Sequence, residues 1–193
     1  MGTRDRMLDA AAQVMRTRGL ARATTKEIAK EAGYSEAALY KHFRDKTDLF
    51  LGVLMERVPS NIHELLAALD ERAGRGAVRE TLEEVAAEAI DFYADTFPIA
   101  ASLFSEPALL AAHRTALQER NMGPNVVREK LAAYLAAEQR AGAIDREANP
   151  EALAALLLGA CLQSAFFAHF TDQPSPPPAD LVEALLTDPT PHR

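Results

Sequence analysis

Between Thr25 and Lys46 the chain gathers side chains suited to contact with a polyanion. Thr25, Ser35 and Tyr40 carry hydroxyls, His42 a ring N–H, and Lys41 and Lys46 ammonium groups, all able to donate to phosphate oxygens. Ser35 and Ala37 are small enough to let a backbone approach base edges. Glu36 is acidic, so its chemistry is acceptance, for instance from the amino group of cytosine. This is recognition chemistry rather than turnover. The sequence has no Gly-rich phosphate loop, no His/Cys/carboxylate cluster at ligand spacing and no nucleophile beside a base. Its single cysteine, Cys161, excludes an internal disulfide and a multi-cysteine metal site. Neither an enzyme, a cofactor nor a metal is expected.

These residues need two short helices crossing at a tight turn. Thr24-Thr25-Lys26-Glu27 reads as a capping box that opens a helix running to Ala32. Gly33 breaks it, and Ser35 caps the next helix, which is expected to end near Phe43. Ile28 and Ala32, then Leu39 and Phe43, fall at i, i+4 and face inward, while Ala29 is small enough to admit the second helix. The pattern predicts a helix-turn-helix whose second helix carries the outward residues. Each has a structural alternative: Tyr40 packing on the first helix, His42 a core histidine, Lys41 and Lys46 merely solvated.

Charge supports the functional reading. Net charge is −7, yet residues 1–50 hold ten Lys and Arg against seven Asp and Glu, and the remainder eleven against twenty-one. A mildly basic head on an acidic body suits a protein that touches a polyanion at one end.

The segment resembles the TetR family of bacterial regulators. Thr25, Ile28-Ala29, Ala32-Gly33, Ser35, Leu39-Tyr40, His42-Phe43, Lys46 and Leu49 match the family pattern over about the first quarter of the chain. Tyr34 departs from it, standing where a smaller aliphatic is commoner, and Glu36 is acidic at the exposed start of the recognition helix. The resemblance implies a homodimer that binds a palindromic double-stranded DNA operator and releases it when a small ligand occupies the C-terminal body. Activation and repression both stay open, repression being the commoner outcome in the family.

The rest of the chain shows helical periodicity nearly throughout. The fold class is all-α: a three-helix helix-turn-helix domain over 1–47, then a helical ligand-binding and dimerisation domain over 48–193. A first helix is expected over Arg4–Arg18. Asp45 caps a helix with Leu49, Val53, Ile62, Leu65, Leu66 and Leu69 on one stripe, kinked or split at Pro59. A helix over Ala77–Thr96 is followed by a separate short one starting at Pro98. Others open at Pro107, Pro124 and Pro150, the last with Asn149 as cap. Inward Phe92, Tyr93, Phe97, Phe104, His113, Tyr134 and Phe166 could line a pocket for a small, partly apolar effector, or simply form core. Of these His113 reads first as a satisfied core histidine. Leu153, Leu156, Leu157, Ala160, Ser164 and Phe167, with Leu181 and Leu185, form a stripe suited to a dimer interface. No uninterrupted apolar run has the length of a membrane span, and Met1–Arg6 shows no apolar leader, so a cytoplasmic protein with no membrane partner is expected.

Overall fold

The computed structural model describes residues 2–57, 61–171 and 175–187. The chain is all-helical, with no strand among the described residues. Two compact units, Met1–Pro59 with Thr96–Asn121 and Ser60–Asp95 with Met122–Arg193, are described separately.

In the first unit, α1 (Thr3–Arg18) buries Met7, Leu8, Ala11, Val14 and Met15. A 3-10 turn at Leu20–Arg22 leads to α2 (Thr25–Glu31), whose capping box forms as the sequence predicts. The Glu27 N–H donates to Thr24 Oγ1 at 3.2 Å, and the Thr24 N–H donates back to Glu27 Oε2 at 3.3 Å. α3 (Glu36–Leu39) is capped by Ser35. It is shorter than the sequence suggests. The N–H groups of Lys41 and His42 turn to carbonyls three residues back, Ala38 for Lys41 and Leu39 for His42, so its last turn tightens. α4 (Lys46–Glu56) starts on an Asp45 cap and buries Leu49, Phe50, Val53 and Leu54. It packs on α1 and α7 (Pro107–Glu119).

α4 approaches α1 closely because Gly52 lies between them. A Cβ there would stand 3.0 Å from Leu8 Cδ2. Mid-helix glycine costs about 1 kcal/mol relative to alanine, and the gain from a Cβ here would be offset by the shift it forces on the Leu8 side chain. Charge then fastens the last turn of α4 to the first of α1. Arg4 Nη1 and Nη2 donate to both oxygens of Glu56 at 2.8 and 2.7 Å. Arg57 donates through Nε to Asp9 at 2.7 Å and through Nη2 to Asp5 at 3.0 Å. The Arg4 guanidinium also lies over the Phe43 ring, 5.4 Å from its centroid.

The second unit contains α5 (Asn61–Arg72), α8 (Pro124–Ala141), α9 (Pro150–Ala168), α10 (Pro178–Leu186) and the N-terminal part of α6 (Val78–Leu103). Ile62, Leu65, Leu66 and Leu69 of α5 join Leu82, Val85, Leu131, Leu135, Leu157 and Leu158 in its core. The stripe read from Leu49 to Leu69 therefore serves two cores: Leu49 and Val53 bury in the first unit, the later residues in the second. Pro59 lies outside the described residues. α9 has the length and mean hydropathy, 1.6, of a membrane-crossing helix. One of its faces packs on α8 and α10, so it reads as a core helix.

Pro98 does not start a new helix; α6 runs through it. Proline has no N–H for the Ala94 carbonyl, which would otherwise be left without its helical donor. His169, just past the end of α9, supplies one: its Nε2 lies 3.1 Å from Ala94 O, and since a carbonyl only accepts, that nitrogen carries the proton.

The Arg4 guanidinium holds the Glu56 carboxyl below its usual range. The backbone N–H of Arg44 does the same for Asp48. A carboxylate whose folded pKa is depressed adds stability above its unfolded pKa, and that stability is lost as pH falls through the folded value. Resistance of the chain to urea should weaken as pH falls below the ordinary glutamate value of 4.5. Arg4→Met should remove about 0.5 kcal/mol of stability at pH 7, a small figure because the pair is partly exposed, and should flatten the acid loss. Equal acid sensitivity in both chains would assign the loss to other carboxylates.

Candidate nucleic-acid interface

The turn between α2 and α3 fixes where the outward residues point. Gly33 has φ 77°, in the left-handed region where other residues are strained. A Cβ at Gly33 would meet nothing within 4 Å, so backbone conformation alone selects glycine. The Gly33 N–H donates to Lys30 O at 3.1 Å and the Tyr34 N–H to Ala29 O at 2.8 Å, the paired bonds of a Schellman closure. Below the turn Ile28, Ala29, Leu39 and Phe43 are all buried.

Opposite these anchors Ser35, Ala37, Tyr40, Lys41 and His42 are exposed, with Thr25, Glu36 and Lys46 half-buried beside them. Tyr40 is 47% exposed, so it is not packed away on α1, and His42 is not a core histidine. Lys46, in the first turn of α4, holds its ammonium 5.0 Å from the Phe50 ring centroid. Ser35 uses its hydroxyl as the α3 cap, accepting from the Ala38 N–H at 3.2 Å. Thr25 donates to Glu36 Oε1 at 2.5 Å, and Tyr40 Oη lies 3.4 Å from Thr25 Oγ1. Glu36 is thus engaged by its own chain rather than projecting freely. Sequence reasoning passed over Arg44, whose guanidinium is 85% exposed and meets Asp48 at 3.4 Å. Its place between the Phe43 anchor and the Asp45 cap was the available signal.

Residues 7–53 match the sequence profile described as bacterial regulatory proteins, tetR family. Residues 7–53 thus form a domain of the tetR-family type.

The curated relatives agree over the same region. The chain is 40% identical over 67 residues to the nucleoid occlusion factor SlmA of Aliivibrio fischeri, covering 33% of this chain and 34% of that one. It is 43% identical over 63 residues to the HTH-type transcriptional regulator AcrR of Shigella flexneri, covering 33% and 29%. The chain thus spans about a third of the length of these relatives. The fold extends further. The transcriptional regulator FadR of Bacillus subtilis, solved with stearoyl-CoA, superposes with TM-score 0.67 over 94% of this chain and 95% of that one, at 19% identity. A TetR-like transcriptional regulator of Rhodococcus gives 0.64 over 95% and 93%, at 22% identity.

Outside the TetR-family domain, the inward aromatics do not form one set. In the second unit Phe92 and Tyr93 are half-buried with ring centroids 5.6 Å apart, and Tyr134 is 1% exposed. Burial holds both the Tyr93 and Tyr134 phenols above their usual range. Tyr134 lies beside Thr81 and Glu138, yet its hydroxyl and Glu138 Oε2 have no partner in hydrogen-bond geometry. Glu138 is fully buried, its other oxygen accepting from the Gly74 N–H at 2.8 Å. Sequence reading missed it, although Tyr134 and Glu138 at i, i+4 were visible. Phe166 is 38% exposed and stacks on Phe170, 4.7 Å between centroids. In the first unit Phe97 is half-buried, but Phe104 is 73% exposed and so does not face inward. His113 is half-buried, and its enclosed Nδ1 has no partner, which corrects its reading as a satisfied core histidine. Burial lowers its pKa and favours the neutral ring.

α9 presents two stripes. Leu157 and Ser164 face the chain's own core with Ala154, Leu158, Cys161 and Ala165. Leu157 and Ser164 are thus covered within the chain, and Ser164 donates to the Ala160 carbonyl at 2.9 Å. Leu153 and Ala160 are half-buried, as are Leu181 and Leu185 of α10. Leu156 and Phe167 are 64% and 50% exposed, and Leu162 and Phe170, at 44% and 69%, extend their face.

Burial pushes the Cys161 thiol up to about 12. The thiolate is the reactive form, so the native chain should resist iodoacetamide at pH 8 and react once urea unfolds it. Rapid alkylation of the folded chain would contradict the packing of this face of α9.

Proposed function

We propose that this chain is a DNA-binding transcriptional regulator: a repressor that grips a palindromic operator as a homodimer and lets go when a small, partly apolar ligand binds its body. The observation that carries the reading is the exposed set Ser35, Ala37, Tyr40, Lys41 and His42, held rigidly over buried Leu39 and Phe43 within the matched domain. A helix so presented enters a major groove, small residues nearest the bases and cations nearest phosphates. Lys46 adds charge at the start of α4. In this reading residues 1–47 read DNA and residues 48–193 sense and dimerise, in the cytoplasm.

Dimerisation follows from the size of one helix-turn-helix, which spans too few base pairs to be selective alone. The apolar face of α9 around Leu156 and Phe167, with Leu153, Ala160, Leu181 and Leu185 at its margin, supports a second copy as its cover. Release follows if the ligand prefers a state in which the two recognition helices stand at the wrong separation. The ion pairs between α1 and α4 support α4 moving with the head as one body. In the second unit, the enclosed hydroxyl of Tyr134 is a polar atom that a ligand could satisfy. The nucleoid occlusion factors among the relatives share the head, so DNA binding is the broader claim and transcriptional control the narrower one.

Tyr40→Ala and Lys46→Ala test the interface. Loss of a phosphate contact weakens binding to every duplex sequence and makes the salt dependence shallower by about one unit per contact. An unchanged slope would remove both residues from the interface.

A further inference from the structure

Thr25, Glu36 and Tyr40 form a chain of three oxygen-bearing groups, and the bookkeeping of their protons has a consequence for the DNA face. A hydroxyl has one proton to donate, and an ionised carboxylate has none. The Thr25–Glu36 contact, 2.5 Å, must therefore use the Thr25 proton. At that length it is a charge-assisted bond, about twice as strong as a neutral one. With its proton spent, Thr25 Oγ1 can only accept, so the Tyr40 O–H points inward to it. That contact, at 3.4 Å, lies at the long limit of hydrogen bonding and is readily exchanged. Thr25 and Glu36 are both half-buried, whereas Tyr40 is 47% exposed.

We infer that Glu36 is a positioning residue of the DNA interface: it withdraws the Thr25 hydroxyl from phosphate binding and leaves Tyr40 as the one exchangeable donor of the three. Thr25 then contributes shape and an anchor for the Tyr40 phenol, not a phosphate contact. Glu36 acts from within the head, through an acceptor oxygen, and does not reach for a base. The inference rests on the DNA-binding reading and narrows which side chains carry it.

The test is a set of double-mutant cycles on the full chain, read as affinity for a random-sequence duplex at fixed salt. Thr25→Val keeps the shape of the side chain and removes its hydroxyl. In the parent chain it should change affinity by less than about twofold, because the proton was already committed. In a Glu36→Ala background the freed hydroxyl can serve a phosphate, so Thr25→Val should cost about tenfold, the value of one charge-assisted bond. Removing the negative charge raises affinity on both sides of that cycle and cancels. In a Glu36→Gln background the amide carbonyl still accepts from Thr25, so Thr25→Val should again cost less than about twofold, which separates the acceptor from the charge. Circular dichroism melts confirm that each variant is folded. An equal loss from Thr25→Val in all three backgrounds would overturn the inference while leaving DNA binding intact. Failure of the parent chain to bind any duplex would overturn the DNA-binding reading itself.

Discussion

The left-handed backbone at Gly33 is the constraint on which the head depends. It ends α2, reverses the chain within two residues and sets the crossing angle at which α3 leaves. Leu39 and Phe43 then fall onto Ile28 and Ala29, and the opposite face of α3 is left exposed. A substitution there meets no clash, but a non-glycine residue in this conformation costs roughly 1–2 kcal/mol. The larger loss would be geometric, since any relaxation of the turn re-aims every residue from Ser35 to His42.

A second layer transmits that geometry. Phe43 sits under Arg4, Arg4 grips Glu56, and Arg57 beside it reaches Asp5 and Asp9. Each exposed pair alone is worth little, but several charges sharing one joint orient the end of α4 on α1. Gly52 sits at the same joint, where an added Cβ would crowd Leu8 at 3.0 Å. The head is thus built from a glycine-dependent turn at one end and a charged clasp at the other.

Much of this was legible in the sequence because it is local. The Thr24–Glu27 capping box, Gly33, the Asp45 cap and the Asn149-Pro150 start each lie within a few residues of the bond they make. What sequence could not supply is non-local. Pro98 reads as a break until His169, far along the chain, covers the stranded Ala94 carbonyl. The two faces of α9 are equally apolar, so Leu157 and Ser164 could be separated from Leu156 and Phe167 only once α8 and α10 had packed. Phe104 had the composition of a core residue without the neighbours. Glu36 looked like a base reader because its partner, Thr25, sits on the preceding helix.

The most direct test of the account is selection of random duplex DNA by the purified chain at near-physiological salt, followed by sequencing of what is retained. The account predicts enrichment of an inverted repeat, with half-sites spaced by about one helical turn or a multiple of it, as two symmetry-related recognition helices require. Weak, salt-sensitive binding with no enriched sequence would contradict operator recognition. Enrichment of a single half-site would contradict the dimer.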